Sequence, residues 1–341
     1  MNEGSLIELT DRGLYCAAGD FYVDPWRPVS RAVITHAHSD HAYQGHGVSL
    51  VSRAGERLFR ARLGDEAVIE TVEYGETRDL GGVRVSLHPA GHVLGSAQVR
   101  VEHRGDVWVV SGDYKTVPDP TCAPFEPVRC RAFITEATFG LPIYRWRPQA
   151  DLFADVDAWW RENRAAGRTS LVLAYSLGKA QRVIAGVDAT IGPIVTHGAV
   201  ERLTAEYRES GVDLPPTVYA GSLETRTAAS GALVVAPPSA ADTPWSRSFG
   251  EVSTAFASGW MLVRSARRSR SVDRGFALSD HADWDELNAA IDATRAELVL
   301  VTHGSVGPLV RWLGERGRDA RPLKTLYRGE EGEIDDEETD A

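Results

Sequence analysis

The stretch His36, Ala37, His38, Ser39, Asp40 and His41 places four metal-competent side chains within six residues of a chain that has only ten histidines. Imidazole nitrogen and carboxylate oxygen are donors that zinc accepts. In an extended or turning segment His36 and His38 project to the same side, while the turn carries Asp40 and His41 to a neighbouring position. That spacing suits two metal ions sharing one loop. Four further donors stand at the ends of apolar runs: His92 in PAGHVLGSA, Asp113 in VVSGDYK, His281 in ALSDHADW and His303 in LVTHG. Each alone reads equally well as a structural histidine or a turn aspartate. Together they read as a single site assembled from distant strand tips.

The elements that must position them follow from the hydrophobic pattern. From Gly19 to Thr116 short β-rich segments alternate with turns: FYVD (21–24), RAVITH (31–36), VRVSLH (83–88) and a hairpin over 97–113 that turns at Arg104, Gly105 and Asp106. Beyond Glu136 helices and strands alternate, beginning with an amphipathic helix over 151–166 and the strand SLVLAY (170–175), which indicates a parallel sheet and a separate α/β unit. GFALSDH (275–281) and ELVLVTH (297–303) then return to the first pattern. The helix after the former has Asp283 and Glu286 at capping-box spacing, and the helix after the latter has Pro308 near its start. The organisation is one domain interrupted by another.

Composition bounds the partners. With 341 residues, 43% apolar and 25% charged, the chain is globular and about two domains long, which excludes disorder as its dominant state. No apolar run approaches the roughly 18 to 20 residues of a bilayer-spanning helix, and Met1 to Arg12 lacks a basic region followed by an apolar one. The expectation is a cytoplasmic protein with no membrane partner. Cys16, Cys122 and Cys130 form no CxxC pair, so disulfide scaffolds and cysteine-type zinc sites are excluded. The formal charge of −11 is concentrated at the end: residues 330–341 hold eight acids and no base, leaving 37 basic and 40 acidic side chains elsewhere. Nucleic acid therefore stays admissible as a partner. His46, His88, His103 and His197 belong to no motif and read as structural or surface residues.

HAHSDH with His92, Asp113 and an early Asp24 in FYVDPW resembles the first four motifs of the metallo-β-lactamase fold. Glu136 in ITEATFG, His281 and His303 are similar to motifs A, B and C of its β-CASP branch, nucleases that include RNase J, the mRNA 3′-end endonuclease and the Artemis-type repair enzymes. The phrasing of GLYCAAGDFYVDPWRPV, FGLPIYRWRP and GFALSDHADW resembles the bacterial ligase-associated DNA exonucleases in particular. The resemblance implies an α/β chain (α+β in some schemes). A four-layer αββα metallo-β-lactamase fold over 1–141 and 275–329 would be interrupted by a Rossmann-like β-CASP domain over 142–274, with 330–341 a disordered acidic tail. It implies two Zn2+, with Mn2+ as a substitute in vitro. His36, His38 and His92 would hold the first ion, and Asp40, His41 and His303 the second. Asp113 would bridge them, and Asp24 would orient a ligand from behind. It also implies an ATP-dependent DNA ligase and a helicase as partners.

The chemistry that follows is phosphodiester hydrolysis. Two zinc ions ~3.5–4 Å apart lower the pKa of a bridging water to about 7 and clamp a phosphate oxygen in an in-line displacement. Asp40 and Asp113 count with this catalytic group. The departing alkoxide needs a proton, and a positioned general acid contributes ~10²–10⁴ in rate. His281 fits that role, because a hydrogen-bonded Glu136 carboxylate favours imidazolium more than the helix start near Asp283 disfavours it. For substrate handling, Arg264, Arg267, Arg268, Arg270 and Arg274 form a basic patch that suits phosphates. Ser176, Gly178 and Lys179, at a strand-to-helix turn, suit another.

Two readings compete for the substrate. The whole-chain resemblance favours a DNA exonuclease in repair or end processing, whereas a histidine at motif C, here His303, is usual for RNA-directed enzymes such as the mRNA 3′-end or RNase J type. A small-molecule metallohydrolase needs neither a second domain nor a phosphate-binding rim. A non-catalytic scaffold is at odds with a complete set of ligand residues.

Overall fold

A computed structural model describes residues 5–224, 229–263 and 272–327. The chain divides into two compact units, one built from residues up to Arg145 and from His281 onward, the other from Trp146 to Asp280.

In the first unit two sheets share an apolar core. The six-stranded sheet runs in chain order from Glu8–Leu9 through Leu14–Cys16, Phe21–Val23, Arg31–Val33 and Val48–Ser52 to Ile69–Val72, and its last four strands are parallel. The seven-stranded sheet has the order Asp319–Pro322, Leu298–Gly304, Ala132–Ala137, Asp106–Val110, Ala97–His103, Val83–Pro89, Thr77–Leu80. Its first four strands are parallel and the rest antiparallel. Phe21, Val23, Val33 and Leu50 from the first sheet pack with Val85, Val99, Trp108 and Ile134 from the second. Alternation with period two decides which side chains go in: Val83, Val85 and Leu87 are buried while Arg84 faces solvent.

The strands that carry Glu136 and His303 are buried on both faces, which is why their sequences read as unbroken apolar runs. Ile134 and Leu300 face the shared core; Phe133, Val299 and Val301 face the opposite way, against Trp284, Ile291, Leu309 and Leu313. The last four belong to the helices Trp284–Thr294 and Val306–Glu315. A helix over Glu56–Leu63 lies against the strands Val48–Ser52 and Ile69–Val72.

Only half of the expected capping box forms on Trp284–Thr294. Glu286 donates its amide to Asp283 Oδ1 (2.9 Å), but its own carboxylate turns away to accept from Lys115 Nζ (3.1 Å) and from the Thr116 amide (2.8 Å) and hydroxyl (3.0 Å). This buried hub ties the loop after Asp113 to the helix after His281. Lys115→Met should lower the free energy of unfolding by about 3 kcal/mol, toward the low end for a broken buried pair because the Thr116 donors remain. The check is the denaturant midpoint at unchanged slope; an unchanged midpoint would contradict it.

The second unit is a six-stranded, all-parallel sheet in the order Thr217–Tyr219, Ile194–Thr196, Leu233–Ala236, Thr169–Leu173, Val252–Ala257, Arg274–Phe276. The helix Gln149–Ala165 buries Leu152, Val156, Trp159 and Trp160, and Trp160 donates from Nε1 to the Gly231 carbonyl (3.1 Å). His197 caps the helix Gly198–Glu209 by accepting from the Ala199 amide. Both boundaries differ from the sequence expectation of 142–274: the second unit starts at Trp146 and runs to Asp280. GFALSD, assigned from 275 onward to the first fold, starts with the strand Arg274–Phe276, which pairs in parallel with Val252–Ala257. That edge pairing, over Arg274–Phe276, puts this part of the chain in the second unit.

Candidate metal centre

Every ligand-type residue singled out in the first unit sits at or just beyond a strand end, and all converge on Asp113. His36, His38 and His92 form a near-equilateral set, with ring centroids 4.9, 4.8 and 4.8 Å apart. Asp113 Oδ2 lies 3.5 Å from His36 Nε2 and 3.6 Å from His41 Nε2, and Oδ1 lies 2.9 Å from His303 Nε2. Among the described residues, the groups able to hold a metal ion include His36/His38/His92/Asp113, His41/Asp113/His303 and Asp113/Glu136/His281, with the Asp113 carboxylate common to all three. Asp40 is at the edge of the second group, its Oδ2 3.8 Å from His41 Nε2. His36, His41, His92 and Asp113 are almost completely buried.

Hydrogen bonds behind the centre assign the imidazole tautomers. Asp24 Oδ1 accepts from the Thr35 amide (2.7 Å), and Oδ2 accepts from the Thr35 hydroxyl (2.6 Å) and from His41 Nδ1 (2.8 Å). With its proton given to Asp24, the Thr35 oxygen accepts from His36 Nδ1 (3.0 Å). Both rings therefore present Nε2 to the centre, the arrangement in which a second partner fixes a ligating imidazole. His36 Nε2 and His41 Nε2 are buried atoms with no hydrogen-bond partner in the protein. Buried polar atoms are ordinarily satisfied, so these orphaned ring nitrogens, together with the N/O donor set, fit divalent cations.

Burial opposes ionisation of Asp113, but the charge on His41 and the His303 side chain bonded to it hold its carboxyl well below the usual range. Burial also works against charge on His41; Asp40, Asp113 and Asp24 outweigh it and push the imidazole up to about 10. His36 moves the other way, lowered well below its ordinary value by burial and by the charge on His41.

Beside this centre lies a second pair. His281 Nδ1 is 2.9 and 3.1 Å from the two oxygens of Glu136, which also accept from the Tyr114 amide (2.8 Å) and the Thr138 hydroxyl (2.5 Å). The His281 ring is 4.7 Å from that of His92, which places it next to the His36/His38/His92/Asp113 group, and with Asp113 and Glu136 it forms a further group of donors.

Two glycines permit the approach of the strands. Gly112 has φ +56, and a Cβ there would lie 2.7 Å from Thr35; Gly304 has φ +80, and a Cβ there would lie 2.3 Å from the Ala137 carbonyl. The first lets Asp113 close on the Thr35–His36 loop, and the second lets His303 sit beside the strand of Glu136. Sequence reasoning missed Gly112, Thr35 and Gly304, although all three are immediate neighbours of motif residues.

The expected phosphate seat at Ser176, Gly178 and Lys179 is corrected. The turn does open the helix Lys179–Gly186, but Lys179 is wholly buried, with Nζ 3.1 Å from Asp280 and over the Tyr175 ring, and the Gly178 amide donates to Gln181 Oε1 (2.7 Å). Donor and charge are engaged inside the unit. Arg264, Arg267, Arg268 and Arg270 lie outside the described residues, as does the stretch 330–341; Arg274 is exposed. Among the described residues no helix is long and apolar enough to cross a membrane.

No family model matches the sequence. The chain is 31% identical over 311 residues to a protein of Opitutus terrae named Probable DNA ligase, covering 90% of this chain and 30% of that one. It is 30% identical over 122 residues to Endoribonuclease YSH1 of Saccharomyces cerevisiae, covering 35% of this chain and 15% of that one. The chain thus spans less than a third of the length of these relatives. Among solved structures, a protein of unknown function from Enterococcus faecalis V583 superposes with a TM-score of 0.57 at 13% identity, over 87% of this chain and 79% of that chain. This last likeness is one of fold alone.

Proposed function

We propose that this chain, which belongs to the β-CASP branch of the metallo-β-lactamase superfamily, is a metal-dependent nuclease that removes nucleotides from DNA ends during repair or end processing. The observation that carries the reading is the Asp113 carboxylate shared between two groups of buried histidines, with the His281–Glu136 pair alongside. On this reading the first unit is the four-layer αββα domain and the second its Rossmann-like β-CASP insert. The DNA preference is supported by a relative named as a DNA ligase that aligns with 90% of the chain; the family resemblance adds an ATP-dependent DNA ligase and a helicase as proposed partners and the cytoplasm as the proposed compartment.

His36, His38 and His92 would hold one Zn2+, and Asp40, His41 and His303 the other, with Asp113 between. Divalent cations held there supply the activation of water and the stabilisation of charge on the phosphate that hydrolysis needs, and Mn2+ would serve in vitro. The protein's own contribution is positional. Asp24 and Thr35 keep the His41 and His36 lone pairs aimed inward. Glu136 holds His281 by Nδ1, so that the protonated ring can give its Nε2 proton to the departing alkoxide.

A second reading, RNA as substrate, is favoured by His303 and by the relative named an endoribonuclease. The deciding experiment incubates the full chain with end-labelled single-stranded DNA and RNA of one sequence, bearing 5′-phosphate or 5′-hydroxyl, in Zn2+ or Mn2+. Stepwise shortening of DNA from one end is the expected result. Faster loss of RNA would reverse the substrate order, and no cleavage of either with any divalent metal would overturn the proposal.

A further inference from the structure

The geometry points to Tyr327 as the residue that holds His41 and His303 in place, an inference that rests on the metal-centre reading above. Beyond the strand Asp319–Pro322 the chain folds back over the centre. The Leu323 amide donates to the Val301 carbonyl (2.8 Å), Leu323 enters the shared core, and the Thr325 and Thr302 hydroxyls bond to each other beside His303. This anchors the return two residues before Tyr327.

Tyr327 is buried among the groups that matter to one side of the centre. Its ring stacks on His41 at 4.5 Å with a 15° tilt, and meets His303 edge-on at 5.9 Å and 83°. Trp26 supports it edge-on from behind at 5.6 Å. Its hydroxyl donates to the Asp24 carbonyl (3.1 Å). Asp24 is the residue whose carboxylate holds His41 Nδ1, and it adopts the left-handed conformation (φ +42) that a non-glycine residue keeps only when its surroundings impose it. One side chain therefore contacts both histidines of the His41/Asp113/His303 group and secures the backbone of the residue orienting one of them. Without the ring, each imidazole gains rotamer freedom that metal binding must then remove. Tyr327 touches no reacting atom, so its role is positioning.

The test counts zinc ions retained by full-length wild type, Tyr327→Leu and Tyr327→Phe, with affinities read by competition against a chromophoric chelator and folding by circular dichroism. Tyr327→Leu should weaken one of the two ions by about 10- to 100-fold and leave the other unchanged, the range seen for groups that orient metal ligands. Tyr327→Phe, which keeps the stack and loses one hydrogen bond, should weaken the same ion by about threefold. A folded Tyr327→Leu with both ions unaffected, or with both weakened alike, overturns the inference. Should Tyr327→Leu not fold, Tyr327→Phe decides: selective weakening of one ion supports it and parity with wild type overturns it. Wild type that binds no metal would instead remove the metal-centre reading itself.

Discussion

Asp113→Asn should give a folded protein that retains at most one zinc ion and hydrolyses nucleic acid no faster than the chelator-treated wild type. The substitution is nearly isosteric, so packing around the site is kept. What changes is the chemistry of the one carboxylate that faces both histidine groups: Oδ2 toward His36 and His41, Oδ1 toward His303. The amide that replaces it has one oxygen instead of two and no charge. Groups that act as a unit lose nearly everything when any one is removed, so the expected loss of rate is on the order of 10⁴-fold or more. Metal content by elemental analysis and single-turnover cleavage of an end-labelled strand are the two measurements. Asp113→Asn with two ions and wild-type turnover would eliminate the shared-ligand centre.

The second large effect separates proton donation from metal binding. His281→Ala should keep its zinc and its circular dichroism yet lose about 10²- to 10⁴-fold in the cleavage step, the contribution of a positioned general acid. The vacated space leaves Glu136 bonded to the Tyr114 amide and the Thr138 hydroxyl, so no bare carboxylate is stranded. A nucleotide ester with a p-nitrophenolate leaving group needs little protonation, and against it the same variant should be far less impaired. The alkaline limb of the wild-type pH–rate profile, where the acid has lost its proton, should also disappear in the variant. Equal losses on both substrates would assign His281 a structural role.

The linear order of residues announces a great deal of this. HAHSDH, the apolar runs that end in His92, Asp113 and His303, and the change from short strands to alternating helix and strand after Glu136 are all visible as types and periods, because ligand chemistry and side-chain alternation are local properties. Asp24 and Glu136 were legible only through family resemblance, since a lone acid at a strand end has no local mark of function. The lysine at 179 misled for the same reason: a strand-to-helix turn with a cation has the same spelling whether the charge meets a phosphate or, as here, Asp280.

What folding alone decided is which atoms face which. That Asp113 looks two ways, that Thr35 relays a proton position from His36 to Asp24, that Glu286 abandons its helix cap for Lys115, and that Tyr327 returns 286 positions after His41 to lie against its ring all depend on contacts between segments far apart in the chain. Such contacts leave no periodic trace, because they arise from sheet register and close backbone approach at Gly112 and Gly304 rather than from neighbouring residues. Donor identity is written in the chain, whereas donor direction is set by packing.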